Sequence, residues 1–194
     1  MHRIEVFFAD PKNDAESFSV KKDILSELEI QTDSVKVIKC YYLNAELSLE
    51  DTENLAKNLF ADPIVQNYSI DSEAKTEADW KIEVKLNSGV TDNEGNTAML
   101  GAKDLLKRNF SENEEIRTSK KYFLKGNLDE EKIKRICKEL LANEVVESFE
   151  YKKLSEWREK KLIKEKMFEN KKWLNERRNW NKKFRRKRTE WTEF

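Results

Sequence analysis

Glycine, proline, cysteine and histidine are scarce in this chain of 194 residues, which has 4, 2, 2 and 1 of them respectively. Four glycines leave little material for phosphate-cradling loops, and neither a P-loop nor a dinucleotide fingerprint occurs. The scarcity of Gly and Pro also argues against a flexible linker. The lone histidine, His2, lies beside the N-terminus, which argues against a histidine-based triad and a conventional zinc site. Cys40 and Cys137 have neither a CxxC partner nor metal-ligand spacing, so both read as reduced, buried small hydrophobes. No apolar run approaches the length of a membrane span. The start, Met1-His2-Arg3-Ile4-Glu5-Val6, lacks the apolar centre of a signal peptide, and the expected location is the cytoplasm.

What the chain has in abundance is charge. Charged residues make up 39% and hydrophobic residues 38%, a balance that suits small compact domains and not one large core. The 38 basic and 38 acidic residues cancel, but unevenly along the chain. Residues 154–194 hold 15 Lys or Arg against 7 Asp or Glu, a net of +8, which leaves 23 basic and 31 acidic residues in 1–153. An acidic body therefore carries a basic tail, which implies an anionic partner or a tail that folds back on the body.

The body repeats itself. Arg3-Ile4-Glu5-Val6-Phe7-Phe8 matches Lys81-Ile82-Glu83-Val84-Lys85-Leu86 at an offset of 78. Further matches follow at 81: Lys22-Asp23-Ile24-Leu25 with Lys103-Asp104-Leu105-Leu106, and Tyr41-Tyr42-Leu43 with Tyr122-Phe123-Leu124. The last pairs the ten residues from Leu59 to Tyr68 with those from Leu140 to Phe149. The preserved order points to a duplication with a three-residue insertion in the second copy.

Each copy reads as strand, helix, strand, helix, strand. Ile4, Val6 and Phe8, like Ile82, Val84 and Leu86, alternate with the period of a strand that buries one face. Val20, Ile24 and Leu28 share one side of the first helix, and Ala98, Ala102, Leu105 and Leu106 one side of its counterpart. The second helices bury Leu55, Ala56, Leu59 and Phe60, and Ile133, Ile136, Cys137, Leu140 and Leu141, with Ser48 and Asp129 as N-caps. The last strands are expected over 64–70 and 145–151. The fold class is α+β: two tandem β-α-β-α-β modules, 1–75 and 78–153, with antiparallel sheets and helices on one face, and a helical tail over 154–194. Either module alone is marginal in size, so the two are expected to bury similar faces against each other as a covalent pseudo-dimer.

The second copy also resembles a known family, the PurS component of phosphoribosylformylglycinamidine synthase. The resemblance is carried by Gly89-Val90-Thr91-Asp92-Asn93-Glu94-Gly95 after the first strand and by the basic stretch Ile116-Arg117-Thr118-Ser119-Lys120-Lys121-Tyr122. Its third part is Leu140-Leu141-Ala142-Asn143-Glu144-Val145-Val146-Glu147-Ser148-Phe149. The whole body is also similar to the N-terminal region of the synthetase subunit PurL in some bacteria, where two such modules lie in tandem. Two departures stand out: Asp10-Pro11-Lys12-Asn13-Asp14 replaces the glycine loop in the first copy, and Glu144 stands where the family often has proline. The resemblance implies a component without catalytic residues that joins glutaminase and synthetase subunits so that ammonia passes between them. It implies ATP, magnesium and glutamine on those partners and no cofactor in this chain.

The residues themselves favour interaction over catalysis. Gly89, Asp92 and Gly95 form the best candidate loop for a partner contact, with a tight strand-to-helix connection capped by Asp92 or Asn96 as the alternative. Lys39 and Lys120 are equivalent in the repeat and fall in the inward phase of their strands, which needs either a bulge that turns them outward or a partner. On the second view Arg117, Lys120 and Lys121 face an acidic surface or a phosphate. In the tail, Trp173, Trp180, Phe184 and Trp191 fall within roughly 20° of one line on a helix, beside the cationic run Arg185, Arg186, Lys187 and Arg188. That pattern fits an amphipathic helix docked on the body or a partner subunit, a nucleic-acid contact, or attachment to an anionic membrane surface. Self-association is a further expectation. The alternative to the purine role is an interaction or RNA-binding protein that acts through this tail.

Overall fold

The computed structural model describes residues 1–154. Residues Met1–Lys152 make one compact unit, and a second, Lys153–Phe194, lies almost wholly outside the described residues. The tail positions Trp173, Trp180, Phe184, Arg185, Arg186, Lys187, Arg188 and Trp191 lie outside them as well.

The strands are β1 (His2–Phe8), β2 (Ser34–Asn44), β3 (Gln66–Ile70), β4 (Trp80–Leu86), β5 (Glu115–Lys125) and β6 (Glu147–Lys153). The helices are α1 (Ala15–Leu28), α2 (Leu49–Leu55), α3 (Asn93–Leu106) and α4 (Glu130–Ile136). Both α2 and α4 run on into a wide turn closed by an i→i+5 bond, from Ala61 N–H to the Ala56 carbonyl and from Ala142 N–H to that of Cys137. Ser48 and Asp129 accept from the backbone N–H three residues on, so the caps expected from the sequence hold.

The strands form one six-stranded antiparallel sheet in the order β3-β1-β2-β5-β4-β6. This order is unchanged when β1, β2 and β3 are exchanged with β4, β5 and β6. The central ladder has the same property: Ser34 faces Lys125, Asn44 faces Glu115, and the midpoint is Lys39 opposite Lys120, a pair 81 residues apart. The halves thus meet edge to edge and not face against face. Edge pairing satisfies the backbone groups of two strands that would otherwise stay open.

All four helices pack on one face, over two cores that mix the halves. One joins Ile24 and Leu28 of α1 to Ile133 and Ile136 of α4 over Ile82, Val84 and Leu124. The other joins Ala98 and Ala102 of α3 to Leu55 at the end of α2, over Ile4, Val6 and Leu43. Each long helix therefore rests on the central strand of its own half, α1 on β2 and α3 on β5, and packs beside the second helix of the opposite half over a shared core. It follows that neither fragment 1–77 nor 78–194 should show a cooperative unfolding transition as a monomer. Circular dichroism melts of the size-selected fragments test this, and a concentration-independent transition in either would sink it.

Two sequence expectations need correction. First, α1 and α3 each span 14 residues, start from Asp14 and Asp92, and end at left-handed Glu29 and Lys107. Their offset is 78 throughout, so the three extra residues lie in the loop before β5. Lys22 corresponds to Leu100, and the match of Lys22-Asp23 with Lys103-Asp104 is coincidental. Leu105 accordingly lies on the exposed side of α3. Second, β3 and β6 begin at Gln66 and Glu147, two residues later than expected. Asp62 Oδ1 accepts from Ile64 N–H at 2.8 Å and Asn143 Oδ1 from Val145 N–H at 3.1 Å, so these side chains hold the chain in a turn.

Candidate functional site

The loop from β4 to α3 turns at Gly89, whose φ is +85°, and reaches its cap at Asp92. The Asp92 carboxylate is buried. It accepts from Gly95 N–H at 2.7 Å and Thr118 N–H at 2.6 Å, and the Thr118 hydroxyl lies about as close, at 3.0 Å. Asp92 therefore clamps the start of α3 to β5. Gly95 permits the clamp, because a Cβ there would lie 2.1 Å from the Ile116 carbonyl oxygen. In the first half the same cap, Asp14, accepts from Ser17 N–H and from its hydroxyl, and Val37 N–H donates to that hydroxyl at 2.8 Å. Ser17 thus inserts one oxygen where Gly95 lets carboxylate and strand meet directly.

The three basic candidates on β5 do not converge. Lys120 points to the helix-covered face, where its ammonium meets Glu16 at 2.6 Å; Lys39 meets Glu94 at 2.7 Å. No bulge turns either lysine outward, since the ladder through them is continuous. Each reaches the first turn of the helix belonging to the other half, where a carboxylate is also favoured by the helix dipole. Arg117, on the opposite face, lies 2.9 Å from Glu115 and remains about 42% exposed. Lys121 is only 1% exposed and pairs with fully buried Glu5 at 2.6 Å.

That pair belongs to a polar layer on the helix-free face. Glu83, the 78-residue counterpart of Glu5, accepts from the Tyr42 hydroxyl and, at 2.8 Å, from that of Ser119. Arg3 Nε sits 3.2 Å from Glu5 Oε1 without the alignment of a hydrogen bond. Burial pushes the Cys40 thiol up to about 12, and it also holds the Tyr42 phenol above its ordinary value. These groups are neutral and form part of the packed layer.

The connection from β3 to β4 crosses this layer as a strap. Ala74 N–H donates to Glu5 Oε2 at 2.8 Å, Glu73 pairs with Lys81, and Glu77 reaches Lys125 at 3.3 Å. At its end Gly126 N–H donates to Asp79 at 3.0 Å. Sequence reading missed the layer because one charged residue at each alternate strand position looks like an ordinary solvated face. The signal was the unusual length of the connection, nine residues of low hydrophobicity between two strands.

No group of His, Cys, Asp and Glu suited to a metal occurs among the described residues. Nor, among them, is any helix long and apolar enough to cross a membrane. What the described residues define is an α+β sheet protein with one helix-covered face and one strapped polar face. Residues 79–155 match the family PurS, phosphoribosylformylglycinamidine (FGAM) synthase, and that segment is PurS-like. The match begins one residue before β4 and ends two after β6. No curated protein matches the chain.

Proposed function

We propose that this chain is a non-catalytic component of FGAM synthase in purine biosynthesis, and that 1–75 and 78–153 are two PurS-like modules in one pseudo-dimeric body. The single observation that carries the first part is the family match over 79–155. The second part draws support from the central ladder, where partners 81 residues apart meet at its midpoint, and from the equal lengths and caps of α1 and α3.

In this reading the chain bridges a glutaminase and a synthetase in the cytoplasm, so that ammonia released by one reaches the other. The partners hold ATP, magnesium and glutamine. The body suits a rigid bridge: interleaved cores and the central ladder prevent the two halves from moving independently. Candidate partner contacts are exposed Gly89 and the loop around it, Arg117 on the helix-free face and Lys120 on the helix-covered face, while Asp92 and Gly95 hold the loop in place and Lys121 is buried against Glu5.

Amidine formation by the cognate synthetase and glutaminase, with and without the chain, tests this. Glutamine-dependent turnover is expected to require the chain and ammonium-dependent turnover largely not. Indifference of both activities, with no complex formed, would mean that the purine role is wrong. Truncation after Lys153 separates this role from the alternative of a tail-borne RNA or protein contact. Complex formation with the enzyme subunits should survive truncation, whereas a steeply salt-sensitive nucleic-acid contact through the tail should vanish.

A further inference from the structure

The ladder between β1 and β2 ends at Val6 opposite Lys39, while Phe7 and Phe8 continue against β3 alone. The first residues of β2 run on without β1 beside them, and a cleft of about 320 Å³ lies against them. Phe18 and Lys21 border it from α1, and Thr76, Glu77 and Ala78 from the strap. Every lining residue is among those described. Phe8, Phe18 and Phe123 give it aromatic walls, and Phe18 is 72% exposed at its edge.

Lys36 lines this cleft and is half-buried. Its Nζ lies 4.3 Å from the centre of the Phe7 ring, and it makes no hydrogen bond or ion pair among the described residues. Lys21 shares the cleft, but its ammonium donates to the Asp33 carbonyl at 2.6 Å. The repeat sharpens the contrast. Arg117, the counterpart of Lys36, has Glu115 at 2.9 Å, and the counterparts of Phe7 and Phe18 are Lys85 and Asn96. The unpaired amine and its aromatic surroundings therefore belong to the first half alone. Charge decides what such a cleft can take. Its lining holds three acids, Asp14, Asp33 and Glu77, against two lysines, so it does not select an anion. Burial holds the Lys36 amine below the ordinary lysine range, and nearby Asp14 opposes this with a smaller effect. A desolvated lysine beside apolar walls acts as a nucleophile more readily than as a counter-ion.

From this we propose that Lys36 is a covalent site for an aromatic aldehyde, whose ring enters the cleft between Phe8, Phe18 and Phe123 while its carbonyl meets the amine. The neutral amine attacks the carbonyl carbon, the carbonyl oxygen takes up the two amine protons and leaves as water, and a C=N bond replaces C=O. No oxidant or reductant is consumed. The space suffices, since a cavity of about 150 Å³ can hold benzene. The site goes beyond the purine reading and does not depend on it.

The test treats the full chain near neutral pH with benzaldehyde and cyanoborohydride, which traps the C=N bond, and maps the modified lysines by peptide mass spectrometry. Lys36 is expected to be labelled about tenfold faster than Lys75, which is exposed on the strap. Formaldehyde has no ring to place and should show a clearly smaller preference for Lys36. Phe18→Ala, an exposed substitution, should slow benzaldehyde labelling of Lys36 about threefold and leave its formaldehyde labelling unchanged. Equal labelling of Lys36 and Lys75 by benzaldehyde overturns the proposal. So does a preference for Lys36 that is as large with formaldehyde, or that Phe18→Ala leaves untouched, because either would mean that the cleft does not hold the ring. The unfolding midpoint of Phe18→Ala confirms that it is folded when assayed, and the comparison of the two aldehydes on the parent chain stands without it.

Discussion

Replacing Gly95 by alanine is expected to destabilise the body by about 3 kcal/mol. The new Cβ would lie 2.1 Å from the Ile116 carbonyl oxygen and about 3 Å from the Asp92 carboxyl. Neither is the free end of a flexible side chain. The first turn of α3 must therefore retreat from β5, and the bonds from Thr118 to Asp92 are lost with it. Two other glycines serve as controls. Gly101→Ala meets only the side chain of Leu59, whose Cδ1 at 2.7 Å can rotate away, and alanine is the better helix former, so the net change should be small. Gly89→Ala has open space but a φ of +85°, and should cost about 1 kcal/mol through backbone strain alone. Urea titrations of the three variants check the ranking. An unfolding free energy for Gly95→Ala within about 1 kcal/mol of the parent would show that α3 can shift freely and that Asp92 does not clamp it to β5.

The strands and the helix stripes were legible in the sequence because they depend on local periodicity. Ile4 and Val6, or Ile133, Ile136 and Cys137, announce one buried face each and need no knowledge of the neighbour. The junction between halves was not legible. Two marginal modules can bury surface face to face or edge to edge, and both solutions use the same apolar stripes. What decides is the backbone of β2 and β5, and backbone hydrogen bonding leaves little trace in residue identity. Helix alignment failed for a related reason. Four similar residues at Lys22 and Lys103 outweighed a single shared cap, yet the cap fixes where a helix starts, so Asp14 and Asp92 were the better guides.

The candidate site was legible in part. Sequence reasoning singled out Gly89, Asp92, Gly95 and the basic residues of β5, and offered a capping role for Asp92, which the geometry shows. It grouped Arg117, Lys120 and Lys121 as one surface. A strand places neighbours on opposite faces, so Lys120 parts from the other two, and burial then separates Lys121 from Arg117. The choice between bulge and partner at Lys39 and Lys120 turned on residues far away in sequence. Glu94 and Glu16 come from helices of the opposite half, and no local pattern announces a pair 104 residues apart.

The buried pair Lys121–Glu5 should have the second large effect. Lys121→Met leaves a fully buried carboxylate without its main counter-charge and is expected to cost about 3 kcal/mol. This is the lower end for a broken buried pair, since Arg3 and the Ala74 N–H still face Glu5. Glu5→Gln should cost a similar amount by stranding the ammonium. The double variant Glu5→Gln/Lys121→Met should be no worse than either single, because removing both charges removes the need for either, and the cycle should give a coupling of about 3 kcal/mol. Additive losses would mean that the two side chains do not interact in solution. The strap supplies an independent readout. Its attachment to Glu5 weakens when that carboxylate is no longer held by Lys121, and exposed Lys75 lies one residue beyond the attached Ala74. Trypsin should therefore cleave after Lys75 faster in Lys121→Met than in the parent, under conditions where both remain folded. Unchanged cleavage alongside a large loss of stability would place the pair's role in the sheet alone and detach the strap from it.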